Sequence, residues 1–292
     1  MAAGMEALAA KDGDREFHFT QRDFNRVRSM IYDRAGISLS PAKQDLVYSR
    51  IARRLRATGE RVFSAYLDAL EQDRASPEWE AFVNALTTNL TSFFRESHHF
   101  DMLREHLQRQ PHGETLRIWC SAASTGEEPY SIAIAAAEAF GTLRPPVAIL
   151  ATDIDTNVLA VAQRGVYPLD RIEKVSLERR RRYFRRGAGD NQGQCKVVDE
   201  LRNLVSFRQL NLLDSAWGLK GPFTAIFCRN VMIYFDKPTQ HKILQRFAPL
   251  LSPDGLLFTG HSESLFNVAS LYGSVGRTVY RRLARTTAPA SR

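Results

Sequence analysis

Glu127 and Glu128 follow the run LRIWCSAASTG at residues 116–126. Leu116, Ile118, Trp119 and Cys120 read as a short strand, and Ser121 to Gly126 are small and polar. The two acids and Pro129 then open a helical pattern that continues mostly in small residues, Ala135 to Ala139. Strand, small-residue turn and helix N-terminus is the layout of a nucleotide-type cofactor site. A phosphate cradle usually carries several glycines, and this turn has only Gly126. Two carboxylates there would repel phosphate. They suit a ligand that offers hydroxyls or positive charge, as S-adenosylmethionine does. Asp153 follows a second apolar run, Val147–Thr152, where doubly wound folds place an acid for ribose hydroxyls.

The elements that must hold these acids follow from the periodicity. From Leu116 onward, strands alternate with helices: strands at Arg117–Cys120, Val147–Thr152, Val205–Gln209, Phe223–Cys228 and Leu256–Gly260, and helices at Tyr130–Phe140, Asn157–Gln163 and Thr239–Leu250. The last strands fall near Ser274–Tyr280. This βαβ alternation predicts an α/β fold, a doubly wound and mostly parallel sheet. Such sheets bind ligands at the carboxyl ends of their strands. The polar signatures STGEE, DID, NLLD and RNVMIY all stand at such ends.

Phe17 to about Leu90 reads as helices without a strand pattern: Thr20 capping an amphipathic run that Gly36 ends, then Pro41–Ala57, Val62–Leu70 and Trp79–Leu90. In the second of these, Val47, Tyr48, Ile51 and Leu55 share an apolar face, with Lys43, Arg50, Arg53 and Arg54 beside it and Arg56 further round. From Arg22 to Arg61 there are 10 basic and 4 acidic residues. Like charges on one helix face repel unless something neutralises them, so this face predicts docking onto an acidic partner; a solvated basic face is the alternative. The whole chain, 292 residues with a formal charge of +8, points the same way. Its three cysteines form no CxxC, which fits a reducing compartment and argues against a zinc site or a disulfide framework. The N-terminus has no basic start and no long apolar run, and no stretch is long and apolar enough to span a bilayer, so a soluble cytoplasmic protein without membrane insertion is expected.

Thr87 to Phe100, TTNLTSFFRESHHF, joins the two parts as a packed linker or a lid. His98 and His99 would point about 100° apart on a helix, which speaks against a metal site. Gly260-His261-Ser262-Glu263-Ser264 resembles a nucleophile elbow but lacks the final glycine and a following helix. Tyr167 to Leu204 interrupts the alternation with a basic helix at 178–186 and a Gly-rich tip, Gly187 to Gly193. Segments Gln194–Val198 and Val205–Arg208 are expected to pair as strands around it, with an edge open to an added peptide strand.

The segments TTNLTSFFRESHHF (87–100), CSAASTGEEPYSIAI (120–134), TDIDTNVLAVAQRGVY (152–167), NLL (211–213), FCRNVMIYFDK (227–237) and DGLLFTGHSES (254–264) together resemble the chemotaxis receptor glutamate methyltransferases, the CheR family. The resemblance implies a tail at 1–16, a helical receptor-docking domain at 17–90, a methyltransferase domain at 91–284 with a small antiparallel β subdomain inserted at about 167–208, and a tail at 285–292. It implies methyl transfer from S-adenosylmethionine, leaving S-adenosylhomocysteine, to glutamates on the cytoplasmic helical bundle of chemoreceptors. Asn89, Thr91, Arg95, Glu128, Asp153, Asn211, Leu212, Arg229 and Asn230 would line the cofactor site, though Glu127 or Glu128 could be the acid that faces it. Arg95 and Tyr234 match the family's proposed catalytic pair, and Arg50, Arg53, Arg54 and Arg56 its docking face. A Gly-containing hairpin loop, here with Gly187, Gly189 and Gly193, goes with binding of a receptor's C-terminal pentapeptide. A monomer is expected, with no nucleic-acid partner: no NPPY-like or base-stacking segment is present.

Overall fold

The computed structural model describes residues 15–111, 113–263 and 270–283. It divides into two compact units, 1–88 and 89–292. Most of the expected tails lies outside the described residues. Arg15 and Glu16, at the edge of the first, form ion pairs with Asp45 and Arg56.

The first unit is helical: α1 (Gln21–Ala35), α2 (Gln44–Thr58), α3 (Phe63–Gln72) and α4 (Glu78–Leu86). Thr20 and Asp23 close a reciprocal capping box at the start of α1, and Gly36 ends it. Phe24, Val27 and Ile31 of α1 bury with Val47, Ile51 and Leu55 of α2, the helical spacing already visible in the sequence. α4 stops at Leu86, short of the expected Leu90, because Thr87 turns extended.

The second unit runs α5 (His98–Gln108), β1 (Leu116–Cys120), α6 (Glu127–Phe140), β2 (Val147–Asp153), α7 (Thr156–Arg164), β3 (Val166–Pro168), α8 (Leu177–Tyr183), β4 (Phe184–Arg186), β5 (Gln194–Val197), α9 (Asp199–Arg202), β6 (Val205–Gln209), β7 (Phe223–Cys228), α10 (Lys237–Phe247), β8 (Leu251–Thr259), β9 (Tyr272–Gly276) and β10 (Val279–Arg282). The main sheet has seven strands in the order β6-β2-β1-β7-β8-β10-β9. β6, β2, β1, β7 and β8 are parallel, and β10 and β9 close the edge as an antiparallel hairpin. Alternate residues face opposite cores. Ile118 and Cys120 pack with α5 and α6, while Trp119 packs with Trp217 and Phe247 on the other side. The topological switch lies at β1, with β2 on one side and β7 on the other, and this is where doubly wound sheets open a ligand crevice.

Two expectations for the insertion are corrected. Only β3, β5 and β4 form the small antiparallel sheet; Val205–Arg208 belongs to β6 and pairs in parallel with β2. The basic helix ends at Tyr183, and Phe184–Arg186 leaves it as strand β4, because pairing with β5 buries Phe184 and gives the backbone a ladder. Phe93, from the joining segment, is buried edge-on against Tyr167 and Phe184 at 5.1 and 5.2 Å, so this segment is packed.

Candidate functional site

The site is built where β1, β2, β6 and β7 end. After β1 the chain turns through Ser124 (φ 49°) and Gly126 (φ 98°) into α6. A side chain at Gly126 would meet the Tyr167 hydroxyl at 2.7 Å and Ala162 Cβ at 2.8 Å, so only glycine lets the turn close there.

Asp153 ends β2. Its carboxylate accepts from the Ser124 N–H at 2.8 Å and the Asp155 N–H at 3.0 Å. Burial, opposed by these hydrogen bonds, still pushes its carboxyl up to about 6. Asp155 caps α7 and accepts from Asn89 Nδ2 at 2.8 Å, while the Asn89 carbonyl accepts from Ser124 Oγ at 3.0 Å. Leu210 donates its N–H to the Asp153 carbonyl at 2.9 Å, which brings Asn211 and buried Leu212 beside this acid.

The two glutamates at the head of α6 part company. Glu127 is fully buried; Thr125 Oγ1 donates to it at 2.6 Å, and Arg171 of the insertion holds it with Nε at 3.1 Å and a second, closer contact from Nη2. The same guanidinium donates to the Thr91 carbonyl at 3.3 Å. Glu128 accepts from Arg229 Nη1 at 2.6 Å and from the Cys120 thiol at 3.3 Å. Burial raises the Glu128 carboxyl, against the pull of Arg229.

Arg229, at the end of β7, is the hub. Its Nη2 donates to the Arg95 carbonyl at 2.6 Å and lies 3.3 Å from Glu96 Oε2. Its Nε is buried with no acceptor among the described residues. Burial works against ionising Glu96, yet the Arg229 charge and the His261 N–H hold its carboxyl below the ordinary range. Phe94 (φ 52°) and Glu96 (φ 56°) flank Arg95, and Asn230 (φ 56°) follows Arg229. Left-handed non-glycine residues cost energy and concentrate where a site needs a particular backbone. Tyr234 is half-buried on the helical turn Met232–Tyr234 just beyond. Next to Glu96, His99 is buried against the Arg277 carbonyl and Thr278, and burial first, then Arg229, pushes its imidazole down to about 3.

The strand ends thus join Asn89, Asp153 and Asn211 in one connected group, and Arg95, Glu128, Arg229 and Asn230 in another beside it. Thr91 joins through its carbonyl and Arg171, a residue the sequence reading missed. Gly187, Gly189 and Gly193 stand apart, in the connection between β4 and β5 of the inserted sheet. Arg50, Arg53, Arg54 and Arg56 lie in the first unit. There Arg54 grips Glu78 with two hydrogen bonds at 2.8 and 2.7 Å, Arg56 pairs with Glu16, and Arg50 donates to Thr88 Oγ1 at 3.4 Å. The repulsion expected along α2 is therefore largely answered from within, and Arg53 is left exposed.

Residues 89–281 match the SAM-binding domain of the CheR methyltransferases, and residues 22–87 match their all-alpha domain. The chain belongs to the CheR methyltransferase family. Chemotaxis protein methyltransferase 2 of Pseudomonas aeruginosa is 54% identical over 272 residues, which cover 92% of this chain and 95% of that protein. The chemotaxis protein methyltransferase of Salmonella typhimurium is 54% identical and that of Escherichia coli 51%, each over 257 residues and 88% of this chain, covering 88% and 89% of those proteins. The expected fold holds: a methyltransferase-type α/β sheet, an all-helical N-terminal unit and a small antiparallel sheet. This CheR chain is an S-adenosylmethionine-dependent methyltransferase. Its strand ends fit that cofactor chemically, since buried carboxylates (Asp153, Glu128) accept from hydroxyl and ammonium groups and the spare Arg229 Nε offers a donor. No helix among the described residues is long and apolar enough to cross a membrane.

Proposed function

We propose that this CheR protein methylates glutamate side chains on the cytoplasmic helical bundle of chemoreceptors, forming methyl esters in chemotaxis-type signalling. It would work in the cytoplasm, as a monomer. The observation that carries this reading is the family match along nearly the whole chain, with relatives named for chemotaxis methylation.

When bound, S-adenosylmethionine supplies an activated methyl group. Asp153 would accept from the ribose hydroxyls, and Glu128, the acid paired with Arg229 rather than with Arg171, would face the cofactor. Asn89, Thr91, Asn211, Leu212 and Asn230 would complete the lining. A free glutamate has a pKa of about 4.3 and is ionised at neutral pH, so no side chain has to remove a proton. The protein's tasks are alignment and exclusion of water. Arg95 would orient the carboxylate and Tyr234 would position it, with Arg95 held from binding too tightly by its hydrogen bond to the Leu90 carbonyl at 3.0 Å.

The basic α2, above all exposed Arg53, would meet the acidic methylation face of the receptor. A receptor's C-terminal pentapeptide would add as a strand to β4, which is at the edge of the order β3-β5-β4 and carries exposed Arg185 and Arg186. Gly187, Gly189 and Gly193 keep the adjoining connection compact.

The test is incubation with methyl-labelled S-adenosylmethionine and membranes carrying chemoreceptors, followed by alkali and collection of volatile methanol. Base-labile methanol supports glutamate methyl esters. Label that stays in nucleic acid or in alkali-stable protein overturns the reading.

A further inference from the structure

Glu263 takes no part in the roles assigned above, yet its carboxylate sits at the centre of the turn that carries them. Oε2 accepts from the Gly260 N–H at 2.7 Å and the Asn230 N–H at 2.8 Å, and Oε1 accepts from the Ile233 N–H at 3.3 Å. The Met232 N–H faces it too. Backbone donors from two separate segments, the end of β8 and the loop after β7, therefore converge on one buried side chain. Burial raises the Glu263 carboxyl, while these N–H groups favour its ionised form. The Glu263 carbonyl is fixed in turn by Thr259 Oγ1 at 3.0 Å.

The surrounding geometry leaves little freedom. Asn230 is left-handed at φ 56°, a conformation that needs outside support in a residue other than glycine. A side chain at Gly260 would press on the Asn230 N at 2.9 Å and, closer still, on its side-chain amide, so the two backbones approach as only glycine permits. Four residues, Asn230 to Ile233, separate Arg229 from Tyr234, and Glu263 grips the backbone in between.

We infer that Glu263 is a positioning residue for methyl transfer: its carboxylate fixes the Asn230–Ile233 backbone and so sets Asn230 against the cofactor and Tyr234 against the acceptor. This rests on the roles proposed for Asn230 and Tyr234. The two ends of the carboxylate serve different sides. Oε2 holds the cofactor side, through Asn230 and Gly260, and Oε1 holds the Tyr234 side, through Ile233.

That division gives a test that plain loss of stability would not mimic. Glu263→Gln can keep one carbonyl oxygen at the Oε2 position and would set an amide N–H against the Ile233 N–H. Glu263→Ala removes both grips. S-adenosylhomocysteine affinity is measured by calorimetry, and the methyl-transfer rate by single turnover with receptor membranes at saturating cofactor. For Glu263→Gln we expect affinity within about threefold and a rate about tenfold lower, the scale of one lost buried hydrogen bond. For Glu263→Ala both fall, and Glu263→Gln relative to Glu263→Ala restores affinity but not rate. A Glu263→Gln enzyme with full rate, or one whose affinity and rate fall together, overturns the inference. Tyr234→Phe is run in parallel. If it keeps full rate, the Tyr234 role fails by itself, and a slow, tight-binding Glu263→Gln still supports positioning through this turn.

Discussion

Arg229 and Glu128 form a buried ion pair, Nη1 to Oε2 at 2.6 Å, between the end of β7 and the first turn of α6. The guanidinium side chain is 0% exposed and the carboxylate side chain 11%. The pair ties the end of β7 to the turn after β1, the strand at the topological switch, and through Nη2 it also holds the Arg95 carbonyl.

Removing one partner of such a pair leaves the other charge buried and uncompensated. Arg229→Ala is expected to destabilise the fold by about 3–5 kcal/mol, read as a fall in the denaturant midpoint. Glu128→Gln keeps the shape and leaves a neutral acceptor, so it should cost less stability and show itself in weaker S-adenosylhomocysteine binding. Equal effects of both on stability alone would place Glu128 in the scaffold only.

Asp153 predicts two opposite pH trends. Its carboxyl is raised from an ordinary 3.8 to about 6 in the fold, mainly by burial. The folded state therefore keeps a proton over a range where the unfolded chain has lost it. This group's stabilising contribution is complete below about pH 4 and is lost as pH rises to about 6, on the order of 3 kcal/mol. Hydroxyl donors of a cofactor need the ionised form, so affinity should fall as pH drops below about 6. Asp153→Asn should remove this step from both profiles and weaken cofactor binding throughout. Melting temperature and calorimetric affinity between pH 4 and 8 check both trends.

The arginines of α2 should separate into two classes. Arg54 holds Glu78, which also accepts from the Tyr66 hydroxyl at 2.7 Å, so Arg54→Ala should lower stability by about 1–3 kcal/mol. Arg53 is exposed, so Arg53→Glu should leave the melting temperature nearly unchanged and raise the Michaelis constant for receptor membranes several-fold. Added salt should raise that constant in the parent and less in Arg53→Glu. A salt-independent constant counts against docking by charge.

Tyr234→Phe should lower turnover about tenfold or more while cofactor affinity stays within about twofold, because only the hydroxyl is removed. A large loss of affinity would place Tyr234 in the cofactor shell.

The sheet and the acids at its strand ends were legible because a period of two, broken by small residues, is a local signal. Asp153 and the Glu127–Glu128 pair stand out from spacing within single segments, but nothing in the spacing chooses between the two glutamates. α5 is masked in the sequence, although Phe100, Leu103 and Leu107 share one helical face, because the polar residues in front of it carry the pattern of a linker. β4 was hidden inside an arginine run that favours helix, and only pairing with the distant β5 makes Phe184–Arg186 a strand. Arg54 carries no mark of its partner 24 residues away, nor Arg171 of Glu127 at a separation of 44. Glu263 stood in plain view in the GHSES stretch, but its donors are backbone groups, which leave no trace in residue type.

The Tyr167 hydroxyl donates to the Thr125 carbonyl at 2.8 Å, and Arg171 reaches both Glu127 and Thr91, so the inserted sheet is pinned to the cofactor turn at several points. A tail clipped onto β4 would thus hang from a stiff mount and not from a swinging arm. The local concentration of acceptor glutamates would then be set by the reach of the receptor's own linker, rising as its span matches the distance and thinning as it lengthens. Moving that linker away from the matching span would act like diluting the substrate, with the chemistry proposed at Arg95 and Tyr234 untouched.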